Sequence, residues 1–269
     1  MTEHFFEERG LYYRLGGKFD AEKSIVLIHG LSGSSSAWGE FENFFSTEYR
    51  VLSFDLRGHG YSARPQKFSD YSLSHMAEDC VALMNYLNIT QPIIIGHSLG
   101  SLVLFELLKA HPTLPSRVVF LAPEYNVARR VGPRIIRALM FPVRWLQHIP
   151  VRHPRGRQVT YAPRYTGTGD WNLLRMYADI TATGIRSFLF ATYHSFSVRC
   201  DGVAKHIQCP VLMIHGKRDT IFPVKNALEL EKEFPHARAV ILNNADHILV
   251  LNHAQEVLPH INTFLHEQI

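Results

Sequence analysis

One serine is flanked by glycines two residues away on each side, in the run Gly96-His97-Ser98-Leu99-Gly100. The run follows a short apolar stretch and opens a segment with helical spacing, which predicts a tight turn between a strand and a helix. Such a turn lifts the serine oxygen clear of the sheet and leaves no room for side chains at Gly96 and Gly100. The pattern predicts Ser98 as a nucleophile, with a structural turn and a spectator serine as the alternative.

A serine hydroxyl is a poor nucleophile unless a base is held beside it. Among the 16 histidines, position along the chain selects His247, just beyond the last predicted strand. Asp219 follows the strand predicted at 210–214, so the chain order is serine, acid, histidine. Its carboxylate would fix the imidazole tautomer and stabilise the imidazolium. Glu124, which follows the strand predicted at 117–121, is the competing acid.

Three other histidines lie near predicted strand ends, and none of them is given a chemical role. His29 and His215 each precede a glycine directly after a strand, where side chains usually serve loop packing. His97 is the chain neighbour of Ser98 and is expected to point away from it at the turn.

The loop after the first predicted parallel strand, His29-Gly30-Leu31, is expected to pass close to a substrate carbonyl. Gly30 allows that close approach because it has no side chain. The backbone N–H groups of Leu31 and Leu99 would then form an oxyanion hole, a pair of donors for the charge that develops on the carbonyl oxygen. The free N–H groups at the N-terminus of the helix that begins at Leu99 would stabilise the same negative charge.

Short apolar runs that end at a glycine, histidine or aspartate turn predict buried parallel strands. The clearest are 24–28, 92–95 and 210–214, and weaker ones are 49–54, 117–121 and 239–242. Segments 73–87 and 99–109 have helical spacing. Segments 4–8 and 11–15 flank a glycine and predict an antiparallel hairpin. The alternation of strands and helices predicts an α/β fold with a mainly parallel sheet covered on both faces.

This regularity stops between about 123 and 201. The segment is rich in proline and glycine and contains two stretches with helical spacing, 135–146 and 171–193. Strand signals return only at 210. We therefore interpret residues 123–202 as a helical cap inserted into a core that comprises residues 1–122 and 203–269.

In their order and spacing these motifs resemble the α/β-hydrolase superfamily. The matching runs are His29-Gly30 with Trp38, Asp55 to Ser62, Gly96 to Gly100, Gly216 to Asp219 and Ala245 to His247. The resemblance covers the core segments and implies a mostly parallel eight-stranded sheet with a helical cap inserted after the sixth strand. It also implies acyl-enzyme chemistry, in which Ser98 attacks and His247 activates the hydrolytic water. The Asp55–Ser62 loop is commonly structural in that superfamily.

Composition sets broader limits. The chain has 269 residues, of which 46% are hydrophobic, enough for one sizeable core, and no apolar run of membrane-spanning length. The first residues lack the pattern of a secretory signal, so a cytoplasmic location is expected. A net charge of +4 is too small to predict a nucleic-acid partner. Cys80, Cys200 and Cys209 have no metal-like spacing and are expected to be reduced.

The segment from 129 to 164 carries nine arginines and no Asp or Glu; they are Arg129, Arg130, Arg134, Arg137, Arg144, Arg152, Arg155, Arg157 and Arg164. A water-facing basic surface is the simplest interpretation. The alternative is recognition of an anionic substrate group or of an acidic lipid surface. Apolar residues interleave with arginines at 135–146, which predicts either a core-facing cap helix, the simpler case, or an amphipathic interfacial element.

Together these observations predict a serine hydrolase that cleaves carboxylic esters of small to medium acyl substrates and uses no metal or organic cofactor. Thioesterase, lactonase, carbon–carbon bond hydrolase and acyltransferase activities remain open on the same three residues, because cap pockets decide substrate choice. A non-catalytic ligand receptor that retains the three residues is the alternative from another class. The expected partner is a small-molecule ester, and the oligomeric state stays open.

Overall fold

One eight-stranded sheet lies at the centre of the computed structural model, which describes residues 1–124, 127, 131–150, 156–199 and 202–267. The strands are β1 (Thr2–Phe6), β2 (Leu11–Gly17), β3 (Ser24–Ile28), β4 (Arg50–Phe54), β5 (Ile93–His97), β6 (Arg117–Leu121), β7 (Val211–Gly216) and β8 (Ala237–Leu242). Their order across the sheet is β1-β2-β4-β3-β5-β6-β7-β8. The β1–β2 and β2–β4 pairs are antiparallel, and the other pairs are parallel. The predicted fold class is confirmed.

Helices cover both faces of this sheet. They are α1 (Gly39–Phe45), α2 (Leu73–Tyr86), α3 (Leu99–Ala110), α4 (Val131–Met140), α5 (Leu173–Thr183), α6 (Ile185–Ser195), α7 (Lys225–Glu231), α8 (Leu249–Asn252) and α9 (Ala254–His266). Short 3-10 helices add Ser35–Trp38, Phe68–Tyr71, Phe141–His148 and Ala204–His206. No helix in the described part of the chain is long and apolar enough to cross a membrane.

The central strands are apolar on both faces because each face is packed against helices. In β3, Ile25 and Leu27 belong to a core cluster shared with α1 and α9, whereas Val26 and Ile28 belong to one shared with α2 and α3. All four side chains are fully buried. Burial of each stabilises the fold by roughly 1.5–3 kcal/mol.

The predicted helical stretches between β6 and β7 differ from the structure in detail. Segment 171–193 forms two helices rather than one, because Gly184 adopts φ +86° between α5 and α6. Segment 135–146 begins as α4 and continues from Phe141 as a 3-10 helix that contains Pro142. Proline removes a backbone donor and prevents an α-helix from continuing unchanged.

The segment between β6 and β7 is attached to the core through polar contacts. Gln158 Nε2 donates to the carboxylate of Asp55 (2.9 and 3.1 Å), the aspartate that follows β4. Arg64 donates to the carbonyls of Ala182 and Thr183 at the end of α5. The division into a core and a cap at residues 123 and 202 stays a prediction.

Several residues of the sequence predictions lie outside the described residues: Arg129, Arg130, Arg152, Arg155 and Cys200. Cys80 is buried and Cys209 is half-buried, and both are free thiols. No disulfide therefore joins these two residues.

Candidate active site

The turn between β5 and α3 carries Ser98 in a conformation that is unusual for a residue with a side chain, with φ +52° and ψ −113°. Its N–H donates to the carbonyl of Leu121 at the end of β6 (3.0 Å), which holds the turn against the neighbouring strand. A strained backbone at one polar residue is typical of a functional site. The turn places the serine beyond the carboxyl end of the strand.

The two glycines of the motif are required by close backbone approaches. A Cβ at Gly100 would lie 2.1 Å from the carbonyl oxygen of Ile28, and one at Gly96 would lie 2.6 Å from the carbonyl oxygen of Gly100. Both distances are far inside van der Waals contact. Glycine is therefore needed at both positions for α3 to begin directly against β3 and β5.

His247 lies on the loop between β8 and α8, and its ring reaches the serine. The distance from His247 Nε2 to Ser98 Oγ is 2.9 Å. The imidazole is buried, and the ring of Phe222 packs edge-on against it with centroids 5.0 Å apart. Contact with Phe222 restricts rotation of the imidazole away from the hydroxyl.

The carboxylate of Asp219 holds the other side of that ring. His247 Nδ1 donates to Asp219 Oδ2 at 2.7 Å, which leaves Nε2 unprotonated and able to accept from Ser98. Asp219 Oδ1 accepts the N–H groups of Ile221 (2.8 Å) and Phe222 (2.7 Å). Burial acts to raise the pKa of Asp219, but hydrogen bonds from His215, His247 and the N–H of Phe222 outweigh it and lower the pKa well below its usual range. The carboxylate stays charged.

His215 also contacts this acid, although the sequence prediction gave it only a loop-packing role. Its Nε2 lies 3.1 Å from Asp219 Oδ2 and 3.0 Å from the carbonyl oxygen of Phe222. Its N–H is a main cause of the lowered pKa of Asp219. The competing acid, Glu124, instead accepts from Asn226 Nδ2 at 3.0 Å.

The expectation that His97 points away from the site is wrong. His97 Nε2 donates to the backbone carbonyl of His247 (2.9 Å), the two rings lie 5.4 Å apart, and His97 lines the same cavity as Ser98. Burial, and to a lesser extent repulsion from His247, lowers the pKa of His97 to about 3. A neutral His97 therefore supports the loop that carries His247.

The loop after β3 lies beside the serine, as the sequence predicts for an oxyanion hole. A Cβ at Gly30 would lie 3.0 Å from His97 Nδ1 and 3.4 Å from the Cβ of Ser98. Within the described residues, no hydrogen-bond acceptor is found for the N–H of Leu31 or of Leu99. Both residues line the cavity at Ser98. Their role as an oxyanion hole stays a prediction.

His29 fixes the shape of that loop. Its Nδ1 donates to the carbonyl of Gly30 (2.8 Å), and its Nε2 accepts the N–H of Leu56 (3.0 Å). Burial lowers the pKa of His29, so the ring stays neutral. The neutral tautomer satisfies both contacts at once, which suits a structural role.

Asp170, from the segment between β6 and β7, was missed by the sequence analysis. Its Oδ1 accepts the backbone N–H of His247 (2.8 Å), and its Oδ2 accepts both the N–H (3.0 Å) and the hydroxyl (2.7 Å) of Thr220. One buried carboxylate thus connects the loop of His247 to the residue after Asp219. An isolated aspartate in an irregular segment has no sequence signal for such a contact.

A cavity of about 280 Å³ opens at Ser98. Its lining is mostly apolar and includes Leu102, Met176, Phe188, Phe196, Ile221 and Ile248. Arg175 and Asp179 form a polar part of the wall, with Arg175 Nη1 3.7 Å from Asp179 Oδ2. Burial raises the pKa of Asp179 to about 6. No group of three or more histidines, cysteines, aspartates or glutamates in the described ranges is arranged to hold a metal ion.

Comparison with known proteins finds similarity along most of the chain. The alpha/beta hydrolase family model matches residues 25–259. A protein of Haemophilus influenzae named "Putative esterase/lipase" is 25% identical over 247 residues, covering 90% of this chain and 83% of that protein. "Probable lysophospholipase BODYGUARD 1" of Arabidopsis thaliana is also 25% identical, but the match covers 86% of this chain and only 56% of that protein.

Among solved structures, a hydrolase from Oleispira antarctica superposes with a TM-score of 0.76. It is 16% identical, and the match covers 95% of this chain and 94% of that one. At this identity the likeness shows a shared fold.

Proposed function

The chain belongs to the alpha/beta hydrolase family, and from this premise we propose that it hydrolyses carboxylic esters of small to medium acyl groups through an acyl-enzyme. The observation that carries the proposal is the pair of hydrogen bonds made by His247, at 2.9 Å to Ser98 Oγ and 2.7 Å to Asp219 Oδ2. Such a chain of contacts activates a hydroxyl that would otherwise be a weak nucleophile. Relatives named esterase or lipase are in keeping with this chemistry.

In the first half-reaction, Ser98 Oγ attacks the ester carbonyl carbon while its proton passes to His247 Nε2. The carbonyl oxygen becomes an oxyanion, which accepts hydrogen bonds from the N–H groups of Leu31 and Leu99. The carbon–oxygen bond to the alcohol then breaks, and His247 returns the proton to the leaving alkoxide. Asp219 stabilises the imidazolium throughout without taking its proton.

In the second half-reaction, a water molecule enters the position that the alcohol has left. His247 Nε2 takes a proton from this water as its oxygen attacks the acyl carbon. The second tetrahedral intermediate collapses, the bond to Ser98 Oγ breaks, and the proton passes from His247 to the serine. The carboxylic acid leaves, and the site returns to its starting state.

The size and lining of the cavity support the proposed substrate range. Its volume of about 280 Å³ lies near the small end for ligand pockets, and its apolar wall suits an alkyl chain. Helix α5 contributes Met176 to that wall and α6 contributes Phe188, while Phe196 directly follows α6. We propose that residues 123–202 act as the cap that sets acyl-group size.

The proposal is tested with a fluorophosphonate probe and mass mapping of the labelled peptide. We expect the added mass on Ser98, no labelling of Ser98→Ala, and slow labelling of His247→Ala. Ser195 also lines the cavity, but its hydroxyl donates to the carbonyl of Thr192 (2.7 Å). Mass mapped to Ser195 in place of Ser98 would contradict the assignment of the nucleophile.

A series of p-nitrophenyl esters tests the substrate range. We expect kcat/KM to be highest for short and medium chains such as butyrate and to fall for palmitate, because a long chain exceeds the cavity. The Ser98→Ala variant serves as the control for spontaneous hydrolysis. A maximum at palmitate would show that the apolar cavity does not limit the acyl group.

A further inference from the structure

Helix α4 is strongly amphipathic. At 100° per residue, Ile135, Ile136 and Leu139 fall on one side of the helix, and Arg134 and Arg137 fall on the other. A cap helix of a globular protein normally turns such an apolar side toward the core. The sequence alone therefore favours a core-facing helix.

The structure shows the reverse orientation. The guanidinium of Arg137 lies over the ring of buried Tyr193, 5.2 Å from its centroid, and its Nε is buried. Leu139 is 76% exposed, and Ile135 and Ile136 are exposed as well. Arg137, opposite the apolar side, thus packs on the protein, whereas Arg134 and the apolar side are exposed, so the core-facing expectation is wrong.

The same exposure continues into the 3-10 helix that follows. Val143 and Leu146 pack against the core, whereas Phe141 and Trp145 project outward, with Trp145 58% exposed. The guanidinium of Arg144 lies 3.8 Å from the Phe141 ring centroid and 5.1 Å from that of Trp145. One arginine thus lies between the two outward aromatic rings of this 3-10 helix.

Helix α5 repeats the pattern beside the cavity. Its charged residues, Arg175 and Asp179, face inward, while Leu173, Leu174 and Tyr177 are exposed. Just before this helix, Trp171 lines the cavity at Ser98 and is 62% exposed. Outward apolar side chains thus extend to the residues that form the cavity.

We propose that the outward side of α4 and the 3-10 helix binds lipid surfaces that contain anionic lipids. We call it the α4 surface; its members are Arg134, Ile135, Ile136, Leu139, Phe141, Arg144, Trp145 and Ile149. Six of these members are large apolar side chains that are exposed, and exposed apolar residues grouped in this way indicate an interaction site. Apolar side chains would enter the headgroup region, and arginine and tryptophan would lie at the interface.

Charge distinguishes a lipid surface from a second copy of the chain. Segment 129–164 holds nine arginines and no acidic residue. Two copies joined through the α4 surface would bring like charges together, which costs free energy. Anionic lipid headgroups instead attract the same arginines, with about 1 kcal/mol for each basic residue near the surface. This binding is independent of the proposed ester hydrolysis.

The test is flotation of the full chain with vesicles of phosphatidylcholine alone and of phosphatidylcholine mixed with phosphatidylglycerol. We expect binding to the mixed vesicles, and a loss of about tenfold or more in Arg134→Glu/Arg144→Glu. The matched control is Lys18→Glu/Lys23→Glu, which makes the same charge change at exposed positions before β3, at the opposite edge of the sheet from Ser98. The vesicle binding of this control should stay within twofold of wild type, because salt screens the attraction between the vesicle and charges far from the α4 surface.

The apolar contribution is measured with Leu139→Ser, for which we expect several-fold weaker binding to the mixed vesicles. Leu228→Ser, at an exposed leucine of α7, is the control and should bind like wild type. Folding of every variant is checked by its thermal midpoint. Equal binding of wild type and Arg134→Glu/Arg144→Glu would overturn the proposal. So would a concentration-dependent dimer that Leu139→Ser abolishes, combined with no vesicle binding.

Discussion

Replacement of Asp219 by asparagine removes one negative charge with almost no change in shape. The carboxylate has two separate tasks: Oδ1 accepts two backbone N–H groups at 2.8 and 2.7 Å, and Oδ2 accepts from His247 Nδ1 at 2.7 Å. An asparagine keeps only one acceptor oxygen. Because the two backbone donors cannot move, the amide oxygen should remain with them and the amide NH₂ should face His247.

The expected loss of activity follows from that orientation of the amide. An NH₂ group cannot accept from Nδ1, so the proton of His247 should move to Nε2, the atom 2.9 Å from Ser98 Oγ. A protonated Nε2 cannot take the serine proton. We expect kcat/KM to fall by about 10³- to 10⁴-fold, equivalent to roughly 4–5.5 kcal/mol of transition-state stabilisation.

The assay is hydrolysis of p-nitrophenyl butyrate together with the rate of fluorophosphonate labelling, which should fall in parallel. Asp246→Asn is the matched control, since Asp246 is adjacent to His247 and its Oδ1 accepts the N–H of Ile248 at 2.9 Å. That variant makes the same change of charge and should keep kcat/KM within a few-fold of wild type. Glu124→Gln tests the competing acid and should also remain active.

A folded Asp219→Asn protein with kcat/KM within tenfold of wild type would refute the reasoning about the tautomer. If Glu124→Gln were then the variant that loses activity, Glu124 would be the acid. Thermal midpoints of all three variants separate these outcomes from unfolding.

Three further predictions concern the support of the site. Asp170→Asn should lower kcat/KM by roughly 10- to 100-fold, because an asparagine has one acceptor oxygen and cannot hold both the N–H of His247 and Thr220. Labelling should still map to Ser98. Unchanged kinetics would contradict the positioning role. Gly100→Ala should destabilise the fold by about 2 kcal/mol or more in urea unfolding, because its Cβ would meet the carbonyl of Ile28; wild-type stability would disprove the close approach. In the folded protein the pKa of His97 is lowered to about 3, whereas in the unfolded chain it keeps the ordinary histidine value of about 6.5. As the pH falls below 6.5, only the unfolded chain therefore binds a proton at this residue. The free energy of unfolding should therefore drop by about 2 kcal/mol more between pH 6.5 and 5 in wild type than in His97→Gln.

Local features were readable from the sequence. The run from Gly96 to Gly100 predicts a strained turn because glycine sterics act within a few residues, and the structure gives Ser98 φ +52°. The central strands were readable because burial on both faces requires continuous apolar runs, as in β3 and β7. Chain order further favoured Asp219 over Glu124, and the structure places Asp219 at His247.

Contacts between distant segments were decided only by the tertiary structure. His215 and His97 flank strand ends like many structural histidines, and nothing in their neighbours indicates that one contacts Asp219 and the other the His247 backbone. Asp170 meets the N–H of His247 across 77 residues of chain. The orientation of α4 is a similar case, since its hydrophobic pattern is the same whichever side faces the core. Local sequence fixes which face of an element is apolar, whereas the direction of that face depends on what the rest of the chain packs against it.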